Sequence, residues 1–453
     1  MTKQTKHNGF ARLGDDQISV ASFFSGIGGF EIGMEAAGFS TQFQCENSGF
    51  CNSVLSTRWP TVNRHGDINE LDPRDIPSSS IWTGGFPCQD VSVARGGRGR
   101  EGLKGKNSGL FYSFYELVEK QRPKVLFLEN VLGLLNSHKG KDFHIILDLL
   151  TGLGYGVAWR ILNTRYFGAP QSRTRVYILA WDGRPDLAAQ SLFEETIPAH
   201  PENARHGFLR SHKCRSTGAF VPEVAYCLAA TSGRHTGTDW SRTYVSYYDR
   251  VRRLTPRECE GLQGFPTDWT KISADSDSSD EEFNTMRYHA LGNAVSVPAI
   301  YWIAKRIKAI YPNKTERRWP KNLKNLPHRL RGTAQEFQGP TASDLFLHDY
   351  RESTEHLRWK TGGIAYMGHV VEARVSPAPN EIIPSKLVDV LETEPVGDRY
   401  YLSPNAAEGI LRRVNSQGRT LFEPLARALA RLAGHDPKPI TIDQNLAPSQ
   451  LSL

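Results

Sequence analysis

Cysteine is scarce in this chain of 453 residues: there are six, and no two stand as C-x-x-C. Cys45, Cys51, Cys88, Cys214, Cys227 and Cys259 are scattered, so neither a zinc ribbon nor a disulfide framework is expected, and a reducing compartment is. Long apolar runs are missing too. None reaches the roughly 20 residues of a membrane span, and the polar start Met1 to Asn8 lacks the apolar stretch of a secretory signal. A soluble, cytoplasmic protein is expected. Acidic charge falls short of basic charge, 48 Asp and Glu against 55 Lys and Arg, which leaves a net +7 and suits a polyanionic partner. Length excludes little, since a chain of this size can bury a sizeable core and has room for two or three domains.

What is present begins with Gly84-Gly85-Phe86-Pro87-Cys88-Gln89, a glycine and proline turn that closes the strand-like run Ser80-Ile81-Trp82-Thr83. A thiol in a rigid strand-to-loop turn is held in place without being packed away. Attack needs the thiolate, and positive charge favours it; Ala94 to Lys106 supplies Arg95, Arg98, Arg100, Lys104 and Lys106 among five glycines. Read alone, Cys88 is equally a small core residue. A second constellation is the apolar run Ile18 to Phe24, the turn Ser25-Gly26-Ile27-Gly28-Gly29 and a helical pattern from Phe30. Strand, glycine turn and helix start form a nucleotide cradle, with Glu46 about 20 residues on, where a carboxylate meets ribose hydroxyls. Asp67 adds a carboxylate in a loop, or is an ordinary turn residue. In Val125 to Val131, Glu129 at the strand mouth is either solvated or desolvated enough to carry a proton near neutrality. Arg173 and Arg175, in Gln171 to Tyr177, stand at strand spacing on one face and can hold an anion, a base edge or a surface carboxylate.

In this order, from Ser22 to about Pro298, these stretches resemble the DNA (cytosine-5) methyltransferases of the phage and bacterial restriction-modification type. Arg253-Leu254-Thr255-Pro256-Arg257-Glu258 with Leu262 to Pro266, and Gly292-Asn293-Ala294-Val295 with Val297-Pro298, resemble the family's last two motifs. The resemblance implies that Cys88 adds to carbon 6 of a flipped cytosine, Glu129 protonates ring nitrogen 3, Arg175 holds the exocyclic oxygen and Arg173 positions the backbone. It implies S-adenosyl-L-methionine as cofactor, with Phe24 against adenine, Ser25, Gly26, Gly28 and Gly29 in the turn, and Glu46 at the ribose. Asp67 falls at the adenine amino group, Pro87 and Leu110 line the pocket, and Asn293 lies near the methionine end. Double-stranded DNA is the implied partner, no metal is called for, a cognate restriction endonuclease is not required for activity, and a monomer is expected. Asn107 departs from the arginine the family often carries there, which touches how the loop Ser92 to Ser108 is anchored.

The expected fold class is α/β: a doubly wound, Rossmann-like methyltransferase core with a smaller DNA-recognition region and a C-terminal extension. Residues 1–181 read as catalytic and cofactor-binding core, 182–250 as a variable region, 251–311 as the closing motifs, 312–340 as a basic linker and 341–453 as a C-terminal domain. Strands are expected at Trp359 to Tyr366 and Val370 to Val375, and a helix at Asn405 to Ser416. The segment Arg399 to Pro404 with Gly409 to Arg413 resembles one found in phage-type proteins associated with the family. Target recognition is therefore expected from 182–250, from the C-terminal domain, or from both, the bland alternative for the latter being a stability module. Two rival functions stay open: methylation of RNA cytosine, and catalytically silent DNA binding on the same fold.

Overall fold

The structure, a computed structural model, describes residues 17–87, 109–195, 208, 210–232, 241–272, 279–311, 318–319, 325–338, 346–349 and 358–435. Cys88, the loop Ser92 to Ser108, residues 273–278 of the acidic stretch and residues 312–317, 320–324 and 339–340 of the basic linker lie outside them.

The first half alternates as the sequence suggests. Strand β1 (Ser19–Phe23) is buried along its whole length, the mark of a strand covered on both faces. It feeds α1 (Gly29–Ala36), β2 (Ser40–Cys45), α2 (Gly49–Arg58), β3 (Asn63–His65) and β4 (Ile81–Gly84). After α3 (Leu110–Gln121) come β5 (Val125–Val131), α4 (Lys141–Gly152), β6 (Tyr155–Asn163), β7 (Gln171–Ser172), β8 (Thr174–Asp182) and α5 (Pro185–Leu192). Strands β1 to β5 pair in parallel, in the order β5-β4-β1-β2-β3. The order reverses at β1 and β4, where an open sheet leaves a crevice beyond its carboxyl ends. Strands β8 and β6 continue the sheet antiparallel to β5 and to each other.

The variable region forms a separate small sheet. Strands β9 (Ser211–Lys213), β10 (Phe220–Pro222), β12 (Tyr244–Ser246) and β13 (Val251–Arg253) pair in the order β13-β12-β10-β9, while β11 (Ala225–Tyr226) pairs with β7. The chain returns to the core through α6 (Pro256–Gln263), α7 (Asp280–Asn293) and α8 (Val297–Ile310). Helix α6 shows why Arg253 to Glu258 has its composition. Thr255 caps the helix, Pro256 takes the first turn where no N–H is needed, and Glu258 closes a capping box. The buried Glu258 also receives Arg252 at 2.8 and 2.7 Å.

The C-terminal domain expected at 341–453 does not stand apart. After α9 (Leu326–Gln338), strands β14 (Phe346–Asp349), β15 (Gly362–Tyr366) and β16 (His369–Ala373) join the core sheet through β6, giving ten strands among the described residues. The driving force is burial: Ile364, Tyr366 and Val371 enter the same apolar cluster as Val20, Phe127 and Ile300. Residues beyond β16 cross to the small sheet, where α10 (Pro404–Ser416) and α11 (Glu423–Leu432) pack against it. The helix and both strands expected in this region fall within two or three residues of their observed ends. No helix among the described residues is long and apolar enough to cross a membrane.

Candidate active site

At the end of β1 the backbone turns through Phe24, left-handed at φ 54°, and Gly26 at φ 55°. Gly28, at φ 86°, opens α1; a Cβ there would fall 2.3 Å from the Trp59 ring, so only glycine fits. Glu46, just past β2, ties this turn down. Its Oε2 accepts the Gly26 N–H at 2.7 Å and its Oε1 accepts the Ser48 N–H at 2.8 Å. Past β3, Asp67 spends Oδ1 on the N–H and the side-chain amide of Asn69, both at 2.9 Å. Beneath the turn, α1 carries a fully buried carboxyl, Glu31, pushed up to about 7 by burial against the opposing hydrogen bonds.

The other end of the crevice is built by β5 and β8. Register pairs Val131 with Arg175 and Glu129 with Tyr177, so Glu129 and Arg175 are diagonal neighbours on one face. Glu129 is only 7 % exposed, and burial pushes its carboxyl above the ordinary range while Arg175 and then Arg173 pull it part of the way back. Arg175 Nε lies 3.1 Å from Glu129 Oε1, close enough for charge attraction, yet no N–H is aimed along that line and Oε1 accepts no hydrogen bond. Asn130 is fully engaged: its amide donates to the Phe86 carbonyl at 2.8 Å and its Oδ1 accepts the Val131 N–H at 2.8 Å, fixing the strand ahead of Cys88 to the strand of Glu129.

Arg173 has a different occupation from Arg175, although a single residue separates them. Its guanidinium donates to the carbonyls of Leu228 at 3.1 Å, Gly292 at 3.2 Å and Ala294 at 2.7 Å. It therefore joins β8, the segment after β11 and the turn after α7. Gly292 makes that junction possible, because a Cβ would lie 2.2 Å from the backbone of Ala229 and Ala230. Gln171 works in parallel, donating to Leu262 O at 2.9 Å and accepting the Leu228 N–H at 2.8 Å.

One cavity of about 490 Å³ runs between the two ends. Of the expected residues, Phe24, Gly26, Glu46, Asp67, Pro87, Leu110, Glu129, Arg173, Arg175 and Asn293 line it. Ser25, Gly28 and Gly29 do not. The Ser25 hydroxyl turns back to Ser22 O at 3.2 Å, and a Cβ at Gly29 would press on Val295, so these residues build the turn rather than the wall. Cys88 lies outside the described residues; Pro87, immediately before it, is on the wall. The sequence reading passed over Ser48, Ile68 and His289, which also line the cavity. Ser48 had a local signal as the cap of α2, whereas His289 sits in a helix whose pattern marks no special position. Volume and lining suit a hydroxylated small molecule at the Glu46 end and, separately, a planar polar ring at the Glu129 end. Among the described residues no cluster of His, Cys, Asp and Glu is arranged to hold a metal ion.

Comparison with known sequences agrees with this geometry. The family described as C-5 cytosine-specific DNA methylase matches residues 18–217 and 205–309. Type II methyltransferase M2.BsuMI of Bacillus subtilis (strain 168) is 35% identical over 304 residues, 64% of this chain and 75% of that one. Type II methyltransferase M.NgoBI of Neisseria gonorrhoeae is 32% identical over 312 residues, covering 65% of this chain and 94% of its own length. Type II methyltransferase M.HaeII of Haemophilus aegyptius is 31% identical over 308 residues, 64% of this chain and 92% of that protein.

Proposed function

The chain belongs to the C-5 cytosine-specific DNA methylase family, and from that premise we propose how its cleft methylates carbon 5 of a cytosine in duplex DNA. Carbon 5 is a poor nucleophile until a group adds at carbon 6. Cys88 supplies the addition: its thiolate forms a bond to carbon 6 while Glu129 gives its proton to ring nitrogen 3, so the electron pair of the 5,6 double bond becomes available at carbon 5. When bound, S-adenosyl-L-methionine supplies an electrophilic methyl group at that point. Removal of the carbon 5 proton by a base then re-forms the double bond and expels the thiolate, and ring nitrogen 3 returns its proton to Glu129.

The observation that carries this reading is Glu129, a buried carboxyl with an unbonded oxygen, pushed toward its proton-bearing form and facing the same cavity as Glu46. A carboxyl left without a hydrogen-bond partner in a buried site costs stability, and a cytosine edge repays it. Arg175, beside it, donates from Nη1 to the Thr174 carbonyl at 2.8 Å and stands where its guanidinium can also meet the exocyclic oxygen of the base. Arg173, held by three carbonyls, positions Arg175 and the turn carrying Asn293.

At the opposite end, Glu46 suits ribose hydroxyls, Asp67 the adenine amino group and Phe24 the adenine face, with Pro87, Leu110 and Asn293 along the remaining wall. The cofactor has no phosphate, so the glycines serve close backbone approach rather than anion binding. The target base leaves the stack to reach Cys88, at a cost of a few kcal/mol offset by the pocket. The test is to incubate the protein and Cys88→Ser with unmethylated genomic DNA and labelled S-adenosylmethionine, then map modified cytosines. Label in one sequence context, absent from the variant, is expected. Transfer to RNA alone, or DNA binding without transfer, overturns the reading.

A further inference from the structure

The small sheet and the last two helices are one body, although more than 150 residues separate them along the chain. Tyr244 and Val251 of the sheet share a buried cluster with Ile410, Leu425 and Leu429 of α10 and α11. Helix α11 also reaches the turn that joins β12 to β13. There Tyr247 N–H donates to Arg250 O at 2.8 Å, closing a tight tip. Arg431 of α11 lies 4.0 Å over the ring of Tyr248 and donates from Nη1 to the Tyr248 carbonyl at 3.0 Å. Arg250 lies 4.9 Å over the Tyr247 ring and 5.0 Å over the ring of Tyr401, which is itself tied to Arg252 by an isolated bridge.

Two features of this tip are unexplained by folding. Tyr248 is 72 % exposed, the most exposed of the large apolar side chains in the described residues. Among those residues, neither Arg250 nor Arg431 pairs with a carboxylate. Surface arginines gain little from stacking on an exposed ring, and an exposed aromatic gains nothing from water. Together they present flat, rigid surfaces with two guanidinium groups that make no ion pair, beside the exposed carboxylate of Asp249, in a protein whose net charge is +7. A guanidinium held by a ring keeps its outer N–H fork free for a phosphate or a base edge, at little further entropy cost.

We propose that this tip is a duplex DNA-contacting element, and that α11, outside the residues matched by the family, supplies one of its arginines. The proposal rests on the reading of the protein as a DNA methyltransferase and names where the substrate duplex is gripped away from the cavity. Tyr248 and Arg431 then act on capture of the duplex, which appears in KM for DNA.

The full chain is assayed with sheared unmethylated genomic DNA and labelled S-adenosylmethionine. Tyr248→Ala and Arg431→Ala are each expected to raise KM for DNA by about tenfold, and Arg431→Ala to flatten the salt dependence of binding by about one unit of slope. Tyr301→Ala removes another exposed tyrosine that lies against a cation, Lys305, and is expected to leave KM for DNA alone. Arg431→Ala loses a stack as well as a charge, so Tyr248→Ala, which removes an exposed ring, guards against a folding defect. An unchanged KM for DNA in Tyr248→Ala, or an equal rise in Tyr301→Ala, overturns the proposal while leaving the methyltransferase reading intact. Should the wild type transfer no methyl group to DNA, that reading fails on its own. Filter retention of the same DNA then decides the tip: about tenfold weaker retention by Tyr248→Ala supports it, and equal retention overturns it.

Discussion

The two ends of the cavity differ in how completely the protein satisfies its own side chains. At the Glu46 end both carboxylate oxygens accept backbone N–H groups, and the turn they hold is fixed by left-handed residues and close packing. At the Glu129 end one carboxylate oxygen accepts nothing, and Arg175 makes charge contact without alignment. A site for a molecule that is always the same is finished in advance. A site for a base that arrives from a stack is left with unpaired groups, and the incoming base completes it. Arg173 marks the border, since both its terminal nitrogens donate to backbone carbonyls while its buried Nε, like the Glu129 oxygen, has no partner.

The sharpest way to separate the ends is at Cys88. Cys88→Ser is expected to lower transfer by about 10⁴-fold or more, with the Kd for S-adenosylmethionine, read by calorimetry, unmoved. Next is Glu129→Gln, expected to lower kcat by about 10² to 10⁴. Because burial raises the Glu129 pKa, its proton-bearing form persists above the ordinary carboxyl range and is lost as pH rises through the raised value. Wild-type kcat should therefore fall on the alkaline side, and the variant should lack that limb. If both keep the same profile, Glu129 is not the proton donor. Breaking the finished end has the reverse signature: Glu46→Gln should weaken S-adenosylmethionine binding by about tenfold to a hundredfold and leave duplex binding in filter retention where it was.

The smallest effect lies under the turn. Glu31 has a folded pKa of about 7 against an ordinary 4.5, so the folded state holds a proton that the unfolded chain gives up. The stability this provides is complete below pH 4.5 and declines as pH rises to about 7, by about 3 kcal/mol. Glu31→Gln should flatten that decline in denaturant titrations between pH 5 and 7.5, without changing kcat.

The glycine turn after β1, the strand that leads to Pro87 and the strand of Glu129 were legible because each is a local event: an apolar run that ends in a glycine or proline turn or in a polar side chain. The helix at Pro404–Ser416 was legible from its period. The small sheet was not, because its strands are three residues long and too short to display a period of two. Nor was the placement of β15 beside β6, because pairing between strands this distant leaves no mark in either sequence. The domain boundaries drawn at 182–250 and 341–453 treated as two units what packs as one cluster around Tyr244 and Leu429. The free oxygen of Glu129 was beyond reach for a related reason: which groups remain unbonded depends on rotamers that only the assembled strands determine.

Strand β6 lies between β8 and β15, and the second of these neighbours is encoded roughly 200 residues later. A ribosome adding about 5 to 20 residues per second would leave β6 half-paired for on the order of ten to forty seconds. During that interval its row of unpaired N–H and C=O groups, with Trp159 beside them, is an adhesive edge on a nearly complete lobe. The late strands thus act as a covering laid down well after the strand that they cover. A chain interrupted before them would carry every motif from Ser22 to Pro298 and still tend to aggregate.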